Sequence, residues 1–135
     1  MKLNRNTPYL LSTITSFAII IISLIPIPEV KPLNEVPLAD KWVHFVMYGG
    51  LALCLWFDWY MKNGTERTKP ITLLTAFIYP IALGGLMELG QAYLTTCRSG
   101  DIIDFYANSI GALLGLVIGI TVVKHIVKRI QNKGR

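Results

Sequence analysis

Asp40, His44 and Tyr48 follow one another at intervals of four, which places them on one face of a helix. Glu88 and Gln91 are three apart and share a face in the same way. Asp101, Asp104 and Asn108 make a third stripe, with Arg98 on the short loop before it. A histidine beside carboxylates can move protons, and a cationic side chain can meet phosphate or carboxylate. His44 and Glu88 are therefore the candidates for catalysis. Asp40, Lys41, His44, Tyr48, Glu88, Gln91, Arg98, Asp104 and Asn108 are the candidates for binding a ligand. Plainer roles stand beside these: Asp40 and Asp101 as helix N-caps, Asp104 favouring a helix dipole, Gln91 and Asn108 as interhelical hydrogen bonds. Glu88 resists such a reading, because a carboxylate at membrane depth is costly unless it pairs, protonates or faces a wet cavity.

The elements that must position these residues are long apolar blocks. The chain has 135 residues, 53% of them hydrophobic and 16% charged. Blocks at about residues 9–25, 41–60, 70–94 and 104–127 each approach the ~17–25 residues a membrane-crossing helix needs. Pro26 and Pro28 close the first, Asp40 precedes the second as its expected N-cap, and Pro70 suits the first turn of the third. The expected architecture is an all-α integral membrane protein, a single domain of four transmembrane helices. No repeat or linker divides it. The first block follows Lys2 and Arg5 like a signal peptide, but Ile-Pro-Ile-Pro stands where small cleavage-site residues would be expected, so its retention is favoured.

Lys2, Arg5, Lys62, Arg67, Lys69, Lys124, Lys128, Arg129, Lys133 and Arg135 fall on one side of the four blocks, and only Lys31, Lys41 and Arg98 on the other. The positive-inside rule puts both termini in the cytoplasm. Trp56, Trp59 and Tyr60 read as an inner aromatic belt, Trp42 as an outer one, and Asp58 as a solvated charge at the inner end of its helix. On that placement His44, Glu88 and Asn108 all lie roughly 5–10 Å inside the outer boundary. The pI near 9.4 follows from the topology without nucleic acid.

Gly111, Gly115 and Gly119 form a GxxxGxxxG stripe on which another helix can approach closely, with Gly84 and Gly85 as the expected matching surface. The stripe also leaves a homo-oligomer open. Pro80 is expected to kink the third helix, and Cys54, roughly 20 Å down the second helix from its outer end, lies too far from Cys97 in the loop after the third to pair. There is no CxxC, HExxH, phosphate-cradling loop or GxSxG. His44, Glu88 and Asp104 could hold a metal, but one histidine makes that weak, so neither metal nor cofactor is expected.

Asp40-Lys41-Trp42-Val43-His44-Phe45 followed by Tyr48 resembles the DKxxHFxxY opening of the VanZ-like family. Glu88 and Gln91 resemble its ExxQ element, Arg98 its loop arginine, and Asp104, Asn108 and Gly111 its DxxxNxxG element. The match runs in order over about residues 40–119. The resemblance implies a small multi-pass plasma-membrane protein of the cell envelope, related to a protein linked to teicoplanin resistance. It carries over no catalytic residues.

Three functions remain open. The polar cluster could bind a lipid headgroup, a lipid-linked wall precursor or a lipoglycopeptide. It could instead be an outer-leaflet enzyme acting on a lipid-linked substrate, with His44 as general base. A small transporter subunit using Glu88 is the third.

Overall fold

The computed structural model describes residues 9–25, 37–66, 68–96 and 99–133, and among them there is helix but no strand. α1 spans Leu10–Leu24, α2 Ala39–Asn63, α3 Pro70–Leu94 and α4 Ile102–Ile118. A π-helical turn, Gly119–Val123, carries α4 on into α5, Lys124–Lys133, so the last three make one rod. Four helical rods therefore stand where the four apolar blocks lie. Two of them, Pro70–Leu94 and Ile102–Lys133, are long and apolar enough to cross a membrane. α1 has 15 residues, and α2 breaks its apolar run with Asp40, Lys41, His44 and Asp58.

The helix ends correct one expectation. The residue before α2 is Leu38, in the left-handed region at φ 58°, and Asp40 sits inside the first turn, so it is not the N-cap. α3 does begin at Pro70, and it continues unbroken through the buried Pro80. Asp101 does cap α4: its Oδ1 accepts the Ile103 N–H at 2.8 Å. α2 stops at Gly64, whose φ of 81° is a conformation only glycine adopts without strain.

α2 is the central helix and packs most intimately on α4. The glycine stripe makes this possible, but its partner is α2 and not Gly84 and Gly85. A Cβ at Gly115 would fall 2.7 Å from Ala52 Cβ and from the Gly49 carbonyl oxygen, and one at Gly49 would fall 3.1 Å from the Gly111 oxygen. Gly111 lies against the Phe45 backbone and Gly119 against the Trp56 ring. α2 presents its own small residues, Gly49 and Ala52, at helical spacing, and that is the surface the stripe matches. Gly84 and Gly85 also face α4, one level higher, against Asn108 and Phe105.

Two apolar clusters fill the bundle. Ile19, Tyr48, Leu51 and Leu83 form one, and Trp56, Tyr60, Ala76 and Val127 the other. Trp56 and Tyr60 are fully buried, so they belong to the core and not to an interfacial belt; Trp42 is exposed. The rings were drawn inward because Gly119 offers no side chain where Trp56 lies.

α1 is held at both ends by side chains. Asp58 Oδ2 accepts the Ser12 backbone N–H and the Ser12 hydroxyl, each at 2.8 Å. At the other end, Gln91 Nε2 donates to the Ser23 carbonyl at 3.1 Å. Asp58 is buried, so the expectation of a solvated charge does not hold. A carboxylate tolerates that position because it satisfies one of the orphan N–H groups of the α1 first turn. Cys54 is a free thiol beside Thr15, at 3.5 Å from its hydroxyl, and Cys97 lies outside the described residues.

Candidate functional site

The three polar stripes converge at one end of the bundle, where the first turns of α2 and α4 meet the last turns of α3. Lys41 is the hub. Its Nζ lies 2.7 Å from Asp40 Oδ2, from Asp101 Oδ2 and from Asp104 Oδ1. Lys41 holds Asp40 and Asp101, both outside the apolar spans, below the usual carboxylate range by hydrogen-bonding their ionised forms. The Lys41 ammonium thus lies among carboxylates of the protein itself.

Beneath it lies His44, between two carboxylates. Its Nδ1 is 3.0 Å from Asn108 Oδ1 and 3.6 Å from Glu88 Oε1, and its Nε2 is 3.7 Å from Asp104 Oδ2. Asn108 Nδ2 donates to Glu88 Oε1 at 3.4 Å, and the Asp101 backbone N–H donates to Glu88 Oε2 at 3.0 Å. The side chains of His44, Glu88 and Asp104 are 8%, 10% and 9% exposed, and Asn108 is fully buried. Tyr48 is buried next to His44, with the two rings nearly parallel and their centroids 6.5 Å apart.

The Asn108 amide bridges the histidine and the glutamate. Its nitrogen faces Glu88 Oε1 and its oxygen faces His44 Nδ1. That makes His44 Nδ1 the donor and places Nε2 toward Asp104. A histidine with a set tautomer, flanked by carboxylates, can act as a proton carrier or as a ligand atom.

Of the residues singled out in the sequence, Asp40, Lys41, His44, Tyr48, Glu88, Asp104 and Asn108 come together here. Gln91 shares the Glu88 helix but turns to α1, where it serves the Ser23 carbonyl. Arg98 lies outside the described residues. Two contributors were not among the expected site residues. Asp101 takes part through both its side chain and its backbone N–H. Gly84 leaves the space that Asn108 occupies, since a Cβ there would fall 2.9 Å from Asn108 Nδ2. The first is visible as the start of the Asp101–Asp104–Asn108 stripe; the second is legible only once two helices are seen to face each other.

The fold and site define an all-helical bundle, with two helices apolar enough to cross a membrane and an ionic cluster closing one end. The family model described as VanZ/LLP1 matches residues 3–124, and the chain belongs to that family. A protein of Schizosaccharomyces pombe (strain 972 / ATCC 24843), described as uncharacterized, is 32% identical over 101 residues. The match takes in 74% of this chain and 58% of that relative, so the chain spans little more than half of its length. No solved structure matches.

Proposed function

We propose that this chain is a multi-pass protein of the plasma membrane, with four spans and cytoplasmic termini, whose end cluster binds the polar head of an amphipathic envelope molecule. A lipid headgroup, a lipid-linked wall precursor and a lipoglycopeptide share that chemistry. The observation that carries the reading is the His44–Asn108–Glu88 network, closed above by Lys41 and its three aspartates. Three helices supply these groups to one place, which is costly in a membrane unless the groups have work to do. The surroundings favour an amphipathic ligand, because Trp42, Val46, Leu89, Ile102, Ile103 and Tyr106 expose apolar surface around that end of the bundle. The VanZ kinship adds glycopeptide tolerance of the teicoplanin type as the phenotype to look for.

The test is growth of a deletion strain on a panel of cell-wall and membrane antibiotics. The strain carries wild type, Glu88→Gln or His44→Ala, with membrane expression checked by blot. Wild type alone is expected to restore tolerance to lipoglycopeptides. Equal behaviour of all three would leave the cluster as structural glue.

A second reading, an enzyme of the outer leaflet, draws on the tautomer of His44. With Nδ1 occupied by Asn108, Nε2 is the atom that could take a proton from an attacking water. A change in the lipid profile that His44→Ala abolishes, read by mass spectrometry, would favour this reading over simple binding.

A further inference from the structure

We infer that His44, Glu88 and Asp104 form a binding site for one divalent metal ion of the zinc type, an inference that rests on reading the cluster as a ligand site. Their ligand atoms lie within 4.8 Å of one another and all three residues are buried. They come from α2, α3 and α4, so the fold and not a local loop brings them together.

Each residue is already oriented by a partner. Asn108 holds His44 Nδ1, the Asp101 N–H holds Glu88 Oε2, and Lys41 holds Asp104 Oδ1. Metal-ligating histidines characteristically donate their second ring N–H in this way, and ligating carboxylates are hydrogen-bonded in turn.

A separate observation points to the ion itself. With Nδ1 turned to Asn108, Nε2 faces Asp104 Oδ2 across 3.7 Å, beyond hydrogen-bond range. The gap between these two buried groups is one that an ion bonded to both would bridge. Ligand atoms around a tetrahedral zinc ion stand roughly 3.3–3.5 Å apart, so the pair needs to close by only a few tenths of an ångström. Charge argues the same way. Asp40, Asp101, Asp104 and Glu88 gather here around a single lysine among the described residues.

One imidazole and two carboxylates suit zinc or manganese and leave coordination positions open. Those positions are where the phosphate or carboxylate of a polar head would bind, which an acidic cluster without the ion would repel. This departs from the sequence reading, in which one histidine in a chain without spaced ligand motifs gave no reason to expect a metal.

The experiment is performed on full-length protein in detergent, stripped with a chelator and titrated with Zn2+ and Co2+. Wild type is expected to take up one ion per chain, with visible Co2+ absorption bleached by one equivalent of Zn2+. Asn108→Ala should weaken binding about 10–100-fold, and His44→Ala and Asp104→Asn should weaken it by at least as much. Gly50→Ala, in open space on α2, should bind as wild type does. Absence of saturable binding of either ion to wild type overturns the inference, as does unchanged affinity in His44→Ala. The wild-type result stands even if a variant does not fold. Antibiotic tolerance that depends on Glu88 without any bound metal would overturn the ion and keep the headgroup reading. Stoichiometric metal without any tolerance phenotype would support the ion and remove the headgroup reading.

Discussion

Asp58 of α2 accepts both the backbone N–H and the hydroxyl of Ser12 on α1, each at 2.8 Å. The pair performs, between two helices, the task that a capping side chain performs within one. It ties the beginning of α1 to the middle of the bundle, and Ser16 and Tyr79 extend the tie to α3 through a 3.0 Å hydroxyl contact.

Removal of the carboxylate should therefore be felt at α1. Asp58→Ala should cost about 1–3 kcal/mol, the range for a buried donor left unsatisfied. Ser12→Ala keeps the N–H bond and should cost about 1 kcal/mol. Thermal unfolding in detergent measures both, and equal effects from the two variants would contradict the cap.

The α2–α4 interface should be intolerant at Gly115 and tolerant at Gly50. Gly115→Val would press on Ala52 and Gly49 and should destabilise by about 1–3 kcal/mol or more. Gly50→Ala meets nothing within 4 Å and should stabilise by roughly 0.5–1 kcal/mol through helix propensity. The same melting assay separates them, and Gly115→Val melting like wild type would mean the helices are not packed on the stripe.

Acid should loosen the end cluster. Lys41 lowers the pKa of Asp40 and of Asp101. A lowered folded-state pKa adds stability that is present above the unfolded carboxylate value, about 4, and is lost as pH falls through the lowered values. Wild type should thus lose stability on acidification below about pH 4. Lys41→Met should be weaker at neutral pH and should lose no more on acidification, because its carboxylates then repel one another. Parallel pH profiles for the two proteins would rule out Lys41 as the hub.

Gly84 controls the cluster from below. Gly84→Ala should displace Asn108 and so release His44 from its set tautomer. Lipoglycopeptide tolerance should fall in this variant with little loss of membrane expression, and tolerance equal to wild type would show that Asn108 does not position His44.

Much of this was legible in the sequence where spacing carried the information. Four-residue intervals on α2 and α4 and the three-residue pair on α3 placed His44, Glu88 and Asn108 on inward faces at one level, and the structure brings those three into hydrogen-bond or ion-pair range. What spacing could not convey was which helix each face meets. Gln91 shares a face with Glu88 yet reaches α1, and the glycine stripe meets Gly49 and Ala52 in place of Gly84 and Gly85. Asp58, Trp56 and Tyr60 depart from the sequence expectation for one reason. Residues near a helix end look interfacial in one dimension, and only a neighbouring helix, here α1 for Asp58 and the Gly119–Val127 stretch for the rings, shows that they are enclosed.

The π-helical turn at Gly119–Val123 leaves the last rod with one residue of slack. At ~100° per residue, a plain α-helix would place Val127 roughly 160° around the axis from Gly111, facing away from α2. A π turn absorbs one residue and cuts that angle to roughly 60°. Val127 is thereby fully buried beside Trp56, and Gln131 donates to the Tyr60 carbonyl at 3.1 Å. Deleting Ile120 should convert the turn to regular helix with both contacts kept, so that a cysteine pair at positions 60 and 131 still cross-links. Inserting one residue there exceeds the slack and should turn Val127 outward, with the cross-link lost.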